Sequence, residues 1–164
     1  MRSRLCAYVG MSNLNNIFLA LTKNYGGPSH RHATEYKMDS LECMNIPDSE
    51  IEDKILEVLQ KCMDTWAVQT LDVDFTQGKR QSYHQVSNKT YTPRIVFGLM
   101  MVRACMMYGS KHDQVHRGWD AVVHVVCHEF AHTLAYRMGR RFYGEVHTPD
   151  YFELYDAVVQ DFMK

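Results

Sequence analysis

The sequence predicts an α+β domain in which a small antiparallel three-stranded sheet sits among amphipathic helices, one of them long. Three observations predict it. Apolar residues recur at helical spacing over 49–66 and again over 113–138. Between them, 67–98 changes to β-branched and aromatic runs separated by turn residues. The chain has 164 residues, 46% of them hydrophobic and 23% charged, which suits one self-sufficient core and excludes a disordered chain.

The elements follow in order. Leu14, Ile17, Phe18 and Leu21 make an i, i+3, i+4, i+7 stripe over 12–25, capped by Ser12 or Asn13 and ended by Gly26-Gly27. Residues 26–48 read as a loop holding the His30-Arg31-His32 cluster, whose histidines are expected to be ordinary exposed ones. Residues 1–48 are therefore expected to form an N-terminal extension, a helix plus a loop, ahead of a domain over 49–164. In that domain Ser49 and Glu52 fit a capping box for the helix that carries Ile51, Ile55, Val58, Leu59, Cys62 and Trp66.

Val68 to Phe75 predicts a strand, Gln77-Gly78-Lys79 a turn, Tyr83 to Val86 the return strand, and Tyr91 to Phe97 a third strand after Ser87-Asn88-Lys89. Leu99 to Tyr108 reads as a short helix or an irregular piece. The long helix over 113–138 has Val115, Trp119, Val122, Val123, Val126, Phe130, Leu134 and Met138 as its apolar positions, with Gly118 marking an alternative start near Asp120. Thr148-Pro149 opens a last helix, with Thr as cap and Pro in the first turn.

Charge and cysteines bound the function classes. Ten Lys/Arg stand against three Asp/Glu in 79–141, between acidic ends, although the net charge is only −1. That stretch offers a surface for an anionic partner such as DNA; the plainer expectation is that its charges scatter over different faces. Five cysteines, Cys6, Cys43, Cys62, Cys105 and Cys127, form no Cys-x-x-Cys pair and read as reduced thiols of an intracellular protein. The longest apolar run, Ile95 to Val102, is eight residues, far short of the roughly 20 that cross a bilayer, so no membrane role is expected.

The chemistry lies in His128-Glu129-Phe130-Ala131-His132, an H-E-x-x-H motif on the long helix. Residues i and i+4 stand one above the other on a helix face, so both imidazoles can reach one ion. Glu129 lies about 100° round the helix from His128, beside the metal and not on it, where it can accept a proton from water. Ala135 and Met138 occupy the positions where the metzincin pattern needs Gly and His. The spacing leaves His147 and Glu153 as candidates for a third ligand. His124, one turn before His128, is expected to be a packed, hydrogen-bonded residue. Asp150 and Asp156 are candidates to orient a ligand imidazole, and the pair His112/His116 offers no third ligand nearby.

The segment Gly144-Glu145-Val146-His147-Thr148-Pro149-Asp150-Tyr151-Phe152, together with H-E-x-x-H, resembles the SprT-like zinc metalloprotease family, to which the Spartan crosslink proteases belong. Arg94-Ile95-Val96-Phe97 is similar to that family's strand before the active-site helix. The resemblance implies a zincin-like fold with a C-terminal helix, Zn2+ held by His128, His132 and His147, Glu129 as catalytic base, and a protein substrate. A zinc-stabilised nucleic-acid- or protein-binding module is the rival expectation.

Overall fold

The computed structural model describes residues 42–77, 82–86, 92–139 and 146–162. The expected helix over 12–25, the His30/His32 cluster, Cys6 and the two turns after Gln77 and Val86 lie outside them. The described elements are α1 (Asp48–Trp66), β1 (Asp72–Thr76), β2 (Tyr83–Val86), β3 (Pro93–Gly98), α2 (Leu99–Tyr108), α3 (Gly118–Arg137) and α4 (Pro149–Gln160). This is an α+β fold.

Helix α1 buries the stripe that its sequence spaces for burial: Ile51, Ile55, Val58, Leu59 and Cys62. Its start differs from the expected capping box. The helix begins at Asp48, Pro47 holds the cap position, and no side chain caps the first turn. Asp48 is instead engaged from outside the helix, by the Arg103 guanidinium (2.6 Å) and the Gln77 amide (2.5 Å). Arg103 also donates to the backbone carbonyls of Cys43 and Ile46, both at 2.5 Å. Residues 43–48, assigned from sequence to the extension, are thereby tied to α2, and Cys43 is buried in the core.

The sheet is mixed, which corrects the antiparallel expectation. β3 lies in the middle, parallel to β1 and antiparallel to β2, in the order β1-β3-β2. The reason is in β3 itself. Ile95, Val96 and Phe97 are successive residues, so they point to both faces of the sheet, and all three are buried. A strand covered on both faces needs the central position. An ion pair between Arg94 and the buried Asp74 links β3 to β1. Removing one partner would leave an uncompensated charge in the interior, at a cost of about 3–5 kcal/mol.

Helix α2 continues straight from β3 and is buried from Leu99 to Met107, Arg103 included. Helix α3 starts at Gly118, the later of the two expected positions. Val115, counted from its spacing as a core residue, is 80% exposed because it stands on the loop before the helix. α3 is the centre of the fold: it packs against α1, α2, α4 and the sheet, and buries residues on nearly every side. At its end Arg137 donates to the carbonyls of Trp66 and Ala67, satisfying acceptors left over where α1 stops. Cys43, Cys62, Cys105 and Cys127 are all buried free thiols. No described helix is long and apolar enough to cross a membrane.

Candidate metal centre

Helix α3 is a two-sided scaffold. Val122, Val126 and Phe130 are fully buried in the core. His124, His128 and His132 follow one another at intervals of four, on successive turns of one face. Truncating the fully buried Phe130 would cost about 3–5 kcal/mol, so the packing under the histidines contributes strongly to stability. Glu129 lies round the helix from His128, buried, and lines the same cavity of about 350 Å³ that His128 and His132 line.

The start of α4 supplies the partner residues. The Thr148 hydroxyl accepts from the Tyr151 amide (3.4 Å) and Pro149 fills the first turn, as the sequence predicts. This fixes where the helix begins, and His147 stands just ahead of it. Its Nε2 lies 3.1 Å from Nε2 of His128. One turn on, the Tyr151 hydroxyl donates to the backbone carbonyl of His128 (2.7 Å), and its ring stacks on His132 with centroids 4.4 Å apart. The ring of His132 is 5.1 Å from that of His128 and 5.0 Å from that of His147. The three histidines expected from sequence therefore share one cavity wall.

A fourth histidine joins them. His112 comes from the loop between α2 and α3, with its ring 5.0 Å from that of His128 and 4.6 Å from that of His147. The ligand nitrogens of His112, His128 and His147 all lie within 4.8 Å of one another. His132 is not in that tighter set. Sequence reasoning discarded His112 as half of an i, i+4 pair with His116, but 112–116 is not helical and the two residues turn to different clusters.

The donor set fits a metal such as zinc. Two nitrogens bound at roughly 2.0–2.1 Å to one tetrahedral ion stand about 3.3 Å apart, close to the separation of His128 and His147. Burial first, and then the neighbouring His132, His147 and His112, push His128 down to about 2. Burial, His147 and Lys111 likewise lower His112. Both shifts favour the neutral ring, the form whose lone pair ligation requires. Burial alone pushes the Glu129 carboxyl up to about 8. It is the sole carboxylate among the described residues lining the cavity.

A second cluster, Asp113, His116 and His124, lies beside the first. Asp113 Oδ1 is 2.9 Å from Nδ1 of His116, and Oδ2 is 3.6 Å from Nδ1 of His124. That His124 nitrogen also shares a 2.5 Å hydrogen bond with the Tyr155 hydroxyl, which bears out its expected packed, hydrogen-bonded state. Glu153 is exposed on α4 and does not line the cavity; Asp150 and Asp156 are exposed too. Several described arginines of the basic stretch are held within the fold. Arg94 and Arg103 are engaged with Asp74, Asp48 and backbone carbonyls, and Arg117 donates to the His116 carbonyl (2.9 Å).

No protein-family model matches the chain, and neither a curated protein nor a solved structure matches it.

Proposed function

We propose that the chain is a zinc-dependent metallopeptidase of the SprT-like type. The observation that carries this reading is the meeting of His147 with His128, 19 residues apart in sequence, in the cavity that His132 and Glu129 also line. His128, His132 and His147 hold the ion. When bound, zinc supplies a Lewis acid that polarises a scissile carbonyl and acidifies water toward a pKa of about 7.

The chain's own groups do the rest. The cavity walls orient the peptide and exclude bulk water. The Glu129 carboxylate takes the proton of the attacking water on a side-chain oxygen and returns it to the amine nitrogen as the peptide bond breaks. The Tyr151 hydroxyl is committed to the His128 carbonyl and steadies the turn of α3 that carries the motif. A protein substrate follows from this chemistry.

The test is Glu129→Gln, measured on an unstructured protein substrate. Cleavage is expected to fall by about 10²–10⁴-fold with zinc content unchanged. Equal cleavage by both forms, or none by the wild type with zinc bound, would leave the zinc-stabilised binding module as the better reading.

A further inference from the structure

The loop that carries His112 is a built turn. The Ser110 amide donates to the Asp113 carbonyl (2.7 Å), and the Asp113 amide donates back to the Ser110 hydroxyl (2.9 Å). Lys111 and His112 form the tip of this reciprocally bonded turn. Its far end is pinned by Asp113 Oδ1, which accepts from the amides of Val115 (3.3 Å) and His116 (3.4 Å). Its near end is Gly109, with φ of +81°; a Cβ there would stand 2.9 Å from the Asp113 carbonyl oxygen. Glycine is needed for both reasons. The backbone therefore fixes where His112 stands.

Where it stands is against the rings of His128 and His147. The ligand nitrogens of His112, His128 and His147 all lie within 4.8 Å of one another. Each ring has one N–H and one lone pair, and the 3.1 Å contact between His128 and His147 uses one of each. His112 brings a further nitrogen to the same point and no carboxylate. One cation can be shared by nitrogens this close. Zinc in a closed site takes four protein ligands, and the motif with His147 supplies three.

We propose that His112 is a fourth nitrogen ligand, delivered by the 109–117 loop, so that the resting centre is closed by four imidazoles. Substrate then gains access only when the His112 side chain swings out of the cavity. This rests on the metal-centre reading and adds to it a cap built from the chain itself.

The experiment loads the full chain with Co2+ alone and compares wild type, His112→Ala and His128→Ala by visible absorption and chelator competition. His112→Gln accompanies them as a variant that retains bulk in the turn. His112→Ala and His112→Gln are expected to keep one ion per chain, to bind it about 10–100-fold more weakly, and to show an altered ligand-field spectrum. Added azide should shift the spectra of both His112 variants and leave the wild type unchanged. Affinity and azide response equal to wild type, with metal lost only in His128→Ala, would overturn the fourth ligand and leave the metal centre standing. No Co2+ bound by the wild type would overturn both. The His112 effects without any peptide cleavage would keep the ligand and remove the peptidase.

Discussion

Two histidine clusters lie side by side on α3, and they are built on opposite principles. Around His124 the imidazoles have their own counter-charge: Asp113 reaches both His116 and His124, and Tyr155 completes the hydrogen bonding on Nδ1. Around His128 the ring neighbours are imidazoles, and the one carboxylate of the cavity lining among the described residues, Glu129, lies round the helix. His112, His132 and His147 surround it, burial and mutual repulsion keep it neutral, and the nearest nitrogen is another imidazole's. The first cluster is tied together by its own hydrogen bonds, while Nε2 of His124 is buried with no hydrogen-bond partner among the described residues. The second brings the ligand nitrogens of His112, His128 and His147 within 4.8 Å of one another, an arrangement that can hold a metal ion.

The sharpest way to break this contrast is to delete one histidine from each cluster. His128→Ala is expected to abolish zinc binding, from one ion per chain to none by elemental analysis, whereas His116→Ala keeps the ion. Equal loss in both variants would mean that the clusters act as one site. A smaller effect is expected from Asp113→Ala, which removes the acceptor shared by the loop amides and the two histidines. Urea unfolding should show a loss of about 2–3 kcal/mol with zinc content retained. Tyr155→Phe should have the smallest effect, about 1 kcal/mol, from one lost hydrogen bond on His124. If Tyr155→Phe changed metal affinity instead of stability, His124 would belong to the metal centre and the contrast would fail.

What the sequence made legible follows the range of the interactions involved. His128, Glu129 and His132 are set by helical periodicity within five residues, so their shared scaffold could be read directly. The Thr148-Pro149 start of α4 is equally local. The pairing of β1 with β3 is not. A run such as Ile95-Val96-Phe97 marks a doubly covered strand, but it does not say which neighbours flank it or in which direction they run. The start of α3 was blurred because Val115 continues the apolar spacing of the helix by coincidence, from an exposed loop position. His112 was missed for a related reason. Its role depends on a reciprocal turn between Ser110 and Asp113 that aims it across the fold, and no spacing rule in the chain encodes that direction.

Arg103 sets a constraint on the order of events during synthesis. Its guanidinium holds Cys43 and Ile46 from 60 and 57 positions further along the chain, inside a helix that is itself buried. Until α2 has left the ribosome, the stretch ahead of α1 has no anchor of this kind. Residues 43–48 must then wait until the 55 to 60 residues between them and Arg103 have been made. A nascent chain stalled just before Arg103 would carry α1 with its apolar stripe bare, a natural client for a chaperone.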